Sequence, residues 1–275
     1  MAAGYLKPIK FRLKVLSAQE GIMALLSGRH ALVTGGGRGI GRAIAGALSA
    51  AGASVTVLGR GEATLRDAVA KGEAKGFAVA DVTDESALGA EIKRAANARG
   101  PVDILVANAG GAESAPFTET APSQFRQMFE LNVMGVVHST RAVLTGMMAR
   151  KSGRVVAIAS TAGMRGYGYV SAYCTAKHAV VGLVRSLAIE TAASGVTVNA
   201  VCPGYTDTEM MRDSVSRIVE KTGRTPEQAQ AAILKNNPLG RLVKPQEVAA
   251  AVLYLCSPDA AAVTGTTLVV AGGEL

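Results

Sequence analysis

The chain contains no tryptophan, and its few phenylalanines and tyrosines bring aromatic content to only 4% of 275 residues. That argues against an aromatic-rich β-sandwich. With 49% hydrophobic residues and an abundance of Ala, Val and Gly, the composition describes a tightly packed helix-and-sheet protein with ample core for one large domain. Cysteine is equally scarce. Cys174, Cys202 and Cys256 are odd in number, far apart and without C-x-x-C spacing, so neither a disulfide framework nor a zinc site is expected, and a reducing, cytoplasmic location fits. The three histidines, His30, His138 and His178, lack ligand spacing and read as structural or surface residues; no metal is expected. Long apolar runs are missing too: Arg185 and Glu190 interrupt the stretch after Ala179, so no membrane span is expected. Acids are in deficit, 21 against 29 Lys and Arg, which leaves a formal charge of +8. Such a balance suits nucleic acid, an acidic partner or a phosphorylated ligand without choosing among them. Zinc spacing of a nucleic-acid-binding module is absent, and nucleic acid is not an expected partner.

The first residues, MAAGYLKPIKFRLKVLSAQEGI, are basic but have no continuous apolar core of the kind a secretory signal needs. Residues 1–27 are read as an N-terminal extension, either loose or an artefact of start-site choice, with a targeting role as the alternative; Met23 stands shortly before the normal start of a domain. From there, short apolar runs alternate with stretches of helical periodicity. HALVT (30–34), SVTVL (54–58), FAVA (77–80), VDILVAN (102–108), RVVAIAS (154–160), VTVNAV (196–201) and TLVVAG (267–272) are candidate strands. Their spacers exceed a hairpin and carry helix formers, so the alternation predicts one α/β domain, 28–275, a doubly wound seven-stranded parallel sheet with helices on both faces. The continuous apolar character of the strands agrees. One polar, helical stretch, about Tyr205 to Asn237, contains no strand; lying beyond a strand's carboxyl end, it is placed as a substrate lid rather than a surface excursion.

Between the first strand and the first helix lies TGGGRGIG (34–41). A pyrophosphate needs backbone N–H groups at close range and a helix N-terminus aimed at it, which demands residues without Cβ. Gly35, Gly37, Arg38, Gly39, Ile40 and Gly41 are therefore candidate dinucleotide contacts, in a G-x-x-x-G-x-G spacing that departs from the usual G-x-G-x-x-G; a plain tight turn is the alternative. The second strand ends in Gly59 and Arg60 with no carboxylate to accept from a ribose hydroxyl. Arg60, with Arg38, thus favours the 2′-phosphate of NADP(H), with NAD(H) as the alternative.

Tyr173 and Lys177, in YCTAK, share one helical face at i and i+4. A cation beside a phenol favours the phenolate and draws it towards the range of a working acid/base, although a surface helix with a snorkelling lysine has the same spacing. Ser160 ends the preceding strand, thirteen positions before Tyr173, where its hydroxyl can polarise a substrate oxygen. Asn132, in a helical LNVMG, offers an amide or a loosened backbone carbonyl to a proton-relay water.

The glycine loop, Asn132, Ser160, Tyr173 and Lys177, in this order, resemble the short-chain dehydrogenase/reductase family, with its single Rossmann-type domain, across residues 28–275. The resemblance implies that Tyr173 is the general acid/base, that Lys177 lowers its pKa and binds the nicotinamide ribose, that Ser160 orients the carbonyl and that Asn132 supports the relay. It further implies cofactor contacts at Asp81 and Val82, at Asn108, Ala109 and Gly110 of NAGG, and at Pro203, Gly204, Thr206 and Thr208 of CPGYTDT. Taken singly, Asp81 and Thr208 also read as helix caps and Asn108 as a turn residue. The segments around Tyr173 and near the C-terminus look most like 3-oxoacyl thioester reductases and polyketide ketoreductases. They imply a ketone/secondary-alcohol oxidoreductase whose substrate is carried on acyl carrier protein or coenzyme A, and a homotetramer. Alternatives are a cyclic alcohol, steroid or sugar substrate, and, more distantly, a non-catalytic nucleotide sensor.

Overall fold

The computed structural model describes residues 25–235 and 237–275. All seven sequence-predicted strands form: β1 (His30–Thr34), β2 (Ser54–Gly59), β3 (Gly76–Val79), β4 (Ile104–Ala107), β5 (Gly153–Ile158), β6 (Val196–Pro203) and β7 (Thr267–Val270). They pair in parallel as one sheet of order β3-β2-β1-β4-β5-β6-β7. The helices between them are α1 (Gly39–Ala50), α2 (Glu62–Ala70), α3 (Glu85–Arg99), α4 (Pro122–Phe129), α5 (Gly135–Ala149), α6 (Ser171–Thr191), α7 (Glu209–Thr222), α8 (Pro226–Leu234) and α9 (Pro245–Cys256).

Successive strand residues point to opposite faces, and both faces are buried. In β4, Leu105 and Ala107 enter one core with Leu88 and Ile92 of α3, Val143 and Met147 of α5 and Val180 and Val184 of α6. Ile104 and Val106 enter the other core with Ile44 and Leu48 of α1, Leu65 of α2 and Val252 and Leu255 of α9. Continuous apolar strands are the consequence, as the sequence pattern suggested. The strand order reverses between β1 and β4, so the connections leaving their carboxyl ends diverge to opposite faces and open a crevice there.

Most strand ends shift by up to two residues from the sequence reading: β5 closes at Ile158, so Ser160 does not end the strand but caps the turn after it, its Oγ accepting from the Ala162 N–H at 3.1 Å. Three further boundaries differ for a physical reason. Packing starts upstream of residue 28, because Leu26 is buried and its N–H donates to the Ala51 carbonyl at 2.8 Å; residues 1–24 lie outside the described residues. Strand β4 is shorter than 102–108, since Asn108 leaves the ladder to bond the glycine loop. The lid does form two helices, α7 and α8, but its base closes at Val243: the Val243 N–H donates to the Tyr205 carbonyl and the Asp207 N–H donates to the Val243 carbonyl, both at 2.9 Å. Among the described residues no helix is long and apolar enough to cross a membrane.

Candidate active site

Gly35 and Gly39 take φ of +64° and +53°, left-handed values that carry the chain from β1 into α1. Gly41 is required by proximity instead: a Cβ there would lie 2.3 Å from the Gly35 carbonyl oxygen and 2.4 Å from the Asn108 amide nitrogen. Asn108 Nδ2 donates to the carbonyls of Thr34 (2.9 Å) and Gly35 (3.3 Å), and Thr34 Oγ1 accepts from the N–H groups of Asn108 and Ala109, both at 3.0 Å. Thr34, which the sequence reading passed over, thus ties the glycine loop to the end of β4 across the point of reversal; its place directly before the glycines was the available signal. No side chain caps the N-terminus of α1 and no acid occupies its first turn. Uncapped amides, a positive helix end and a backbone without side chains fit a pyrophosphate.

Arg38 and Arg60, read as contacts for a 2′-phosphate, are each paired with a carboxylate here. Arg38 Nη1 lies 3.1 Å from Glu209 Oε2 at the start of α7, and Arg60 Nη1 lies 3.5 Å from Asp81 Oδ2. Asp81 does not cap α3; its Oδ1 accepts from the Thr83 N–H and hydroxyl, and these bonds, with Arg60, hold its carboxyl below the usual range against the effect of burial. Asp84 is the cap, accepting from the Ala87 N–H at 2.9 Å. The carbonyl of Val82 is bonded by the His138 ring at 3.0 Å. Thr208 caps α7, its hydroxyl accepting from the Met211 N–H at 3.3 Å, while its methyl group would meet a Cβ on Gly39 at 3.4 Å. Thr206 Oγ1 donates to the Gly204 carbonyl at 3.0 Å. The lid therefore starts against the glycine loop.

The four candidate catalytic residues converge beside this crevice. Asn132 occupies a π-helical turn, Glu130–Met134, between α4 and α5. Its side chain is buried and engaged at both ends: Oδ1 accepts from the Gly111 N–H (3.2 Å), and Nδ2 donates to the carbonyls of Gly111 and Met128, both at 3.0 Å. With both Nδ2 hydrogens taken and the amide buried, a relay water would meet the backbone of this turn. Gly110 packs against it so closely that a Cβ would sit 2.6 Å from Asn132 Oδ1 and 3.6 Å from Lys177 Nζ. Lys177 Nζ donates to the Ile158 carbonyl at 2.9 Å, two residues before Ser160, and lies 5.6 Å from the centroid of the Tyr173 ring. Lys177 is no snorkelling surface lysine: it is 4% exposed, and burial pulls its ammonium down to about 8.

Tyr173 departs from expectation. Burial pushes its phenol up to about 12, opposed by a hydrogen bond with Ser160, and Lys177 does not draw it down in this arrangement. Desolvation outweighs a cation that faces the ring and is itself bonded to a carbonyl. The phenol is thus held protonated, ready to donate. Cys174, the next residue, is a free, buried cysteine.

A family profile described as "Enoyl-(Acyl carrier protein) reductase" matches residues 35–274. The chain belongs to the short-chain dehydrogenase/reductase family. Among its relatives in this family of oxidoreductases, the 3-oxoacyl-[acyl-carrier-protein] reductase FabG of Vibrio harveyi is 38% identical over 250 residues, covering 90% of this chain and 98% of that protein. Acetoacetyl-CoA reductase of Rhizobium meliloti is 39% identical over 246 residues, with the same coverage of both chains. A crystal structure of a tryptophan variant of actinorhodin polyketide ketoreductase with NADPH superposes with a TM-score of 0.86 at 39% identity, covering 90% of this chain and 97% of that one. In this short-chain dehydrogenase/reductase, Asn132 and Lys177 flank Gly110 after β4, and Lys177 lies between Ile158 of β5 and the Tyr173 ring.

Proposed function

We propose that the protein is an NADP(H)-dependent oxidoreductase that interconverts a 3-oxoacyl thioester and its 3-hydroxyacyl counterpart, with the acyl chain carried on acyl carrier protein or coenzyme A. The observation that carries this reading is the shared position of Lys177: its amine stands beside Tyr173 and, on the other side, 3.6 Å from where a Gly110 side chain would begin. One residue thereby stands between the proton donor and the NAGG segment that borders the glycine loop. The uncapped α1 amides, Asn108-Ala109-Gly110 and Lys177 would hold a nicotinamide dinucleotide, which when bound supplies or accepts a hydride at the substrate carbon. Ser160 and Tyr173 both present hydroxyls to one oxygen, the arrangement that stabilises charge developing on a carbonyl. Tyr173 gives its O–H proton to that oxygen as it becomes an alcohol, and Lys177 with the Asn132 turn returns a proton to the phenolate.

Names of relatives that act on ketoacyl and acetoacetyl groups support the thioester class, and the net positive charge suits an acidic or phosphorylated carrier through electrostatic steering. We further propose a homotetramer. Phe129 is 40% exposed on α4 and borders an apolar concavity of about 300 Å³ with Phe125, Ala172 and Ala176, a face suited to a second copy.

Initial rates with NADPH and NADH across acetoacetyl thioesters, cyclic ketones and sugars test the assignment. Fastest turnover of acetoacetyl-CoA with NADPH is expected; a clear preference for a cyclic ketone or a sugar would transfer the protein to another branch of the family. In Tyr173→Phe, turnover should fall by about 10²–10⁴ while cofactor binding persists, and near-normal turnover would remove Tyr173 from the role of acid.

A further inference from the structure

The chain's last residues are built into the active-site wall. After β7, Gly272 and Gly273 take φ of +64° and +85°, and the turn they form brings Glu274 back against the end of β6, where it is buried at 7% exposure. One carboxylate oxygen, Oε1, accepts from the Tyr167 hydroxyl at 2.7 Å. That hydroxyl also lies 2.8 Å from Thr161 Oγ1, next to Ser160. Arg165 secures the same corner: its Nη1 donates to the Glu274 main-chain carbonyl at 3.1 Å, and its guanidinium lies over the Tyr167 ring at 5.0 Å. The other oxygen, Oε2, is buried without a hydrogen-bond partner and lies 3.0 Å from where a Cβ on Gly204 would stand. Gly204, read from the sequence as a cofactor-side residue, is thus also the gap into which the carboxylate fits.

The cluster reaches the reacting groups through an aromatic pair. Tyr167 meets Tyr205 edge to face, with centroids 6.1 Å apart and planes at 81°. Tyr205 in turn directly follows Gly204, against which Glu274 packs, and the Tyr167 hydroxyl meets Thr161, the neighbour of Ser160. A buried carboxylate with one oxygen unpaired costs stability unless it is used, and a rigid edge-to-face pair is what a site needs to present one face of a ketone.

We propose that Glu274 is a positioning residue: by holding the Tyr167 hydroxyl it fixes the Tyr167–Tyr205 pair as the wall that orients the carbonyl substrate against Ser160 and Tyr173. The inference rests on Tyr173 acting as the proton donor. The tail of the chain then governs substrate pose and product stereochemistry while leaving the dinucleotide site alone.

The test compares Glu274→Ala, Glu274→Gln and Tyr167→Phe in reduction of acetoacetyl-CoA, or of the best ketone from the panel above, reading kcat, KM, the enantiomer ratio of the alcohol, and NADPH affinity by fluorescence. Loss of one hydrogen bond predicts a KM about tenfold higher in Glu274→Ala and Tyr167→Phe, with an eroded enantiomer ratio and unchanged NADPH binding. Glu274→Gln keeps an acceptor for Tyr167 and should restore KM and stereochemistry to within about twofold of wild type. Tyr167→Phe removes a single oxygen and serves if Glu274→Ala does not fold. The inference is overturned by wild-type KM and stereochemistry in both truncations, by Glu274→Gln as impaired as Glu274→Ala, or by NADPH affinity falling with turnover. Failure of the underlying acid assignment shows separately, as retained turnover in Tyr173→Phe.

Discussion

Lys177 is the one catalytic candidate whose protonation falls near working pH. Its ammonium is pulled from 10.5 to about 8 by burial, while the phenol it accompanies is pushed up. Two consequences follow at this residue. The ratio kcat/KM for cofactor reports ionisations of the free enzyme, so in the reducing direction it should fall as pH rises through about 8, where Lys177 loses the charge on which its proposed hold on the dinucleotide depends; a flat profile to pH 10 would contradict the assignment. The second consequence concerns stability. A lysine whose folded pKa lies below its unfolded value binds fewer protons when folded, so the penalty is full below about 8 and fades as pH rises towards 10.5. At neutral pH that penalty is on the order of 3 kcal/mol. Lys177→Met should therefore be inactive yet gain stability relative to wild type at pH 7, with the difference in urea midpoint shrinking by pH 10.

At the scale of elements, the glycine loop and the helix it opens are held by contacts that tolerate no added carbon. Gly41→Ala sets a Cβ 2.3 Å from a backbone oxygen, which cannot swing aside as a flexible side chain would. The expected cost is roughly 1–3 kcal/mol in urea unfolding, accompanied by weakened NADPH binding as the α1 amides shift; unchanged affinity would show that the loop does not cradle the cofactor. The arginines around the loop raise a question of competition. Arg38 and Arg60 are spoken for by Glu209 and Asp81, but exposed pairs of this kind contribute at most about 1 kcal/mol. A doubly charged phosphate bonded directly by an arginine outweighs them, at about 1.5–3 kcal/mol per charged hydrogen bond. Arg60→Ala is accordingly expected to cut the NADPH:NADH ratio of kcat/KM by about tenfold or more. An unaltered ratio would return the choice of cofactor to Arg38 or to neither.

On the scale of the whole molecule, the proposed assembly predicts a mass in light scattering four times the 28.0 kDa chain, and Phe129→Glu, which sets a carboxylate on the apolar α4 face, should yield smaller species. A wild-type monomer would refute the tetramer. Much of this molecule was legible before any coordinates, because strand content, helix spacers and the both-sides-buried sheet follow from residue periodicity, and because the glycine loop, Ser160, Tyr173 and Lys177 are recognisable by type and spacing. Residues whose roles depend on distant partners were not legible. Glu209, Tyr167 and Glu274 have no local pattern to mark them; each matters through a group 107 or more positions away, Arg38 or one another. The same limit explains the phenol of Tyr173: a lysine one helical turn along announces a cation nearby, whereas desolvation depends on what packs around the ring. Local periodicity and short-range spacing suffice for the doubly wound sheet, the order of its elements and the residue types of the site. Which charges are already paired, which groups lose their water and what Glu274 holds in place emerge in the folded chain alone, because burial and long-range contact exist only once the chain has closed upon itself.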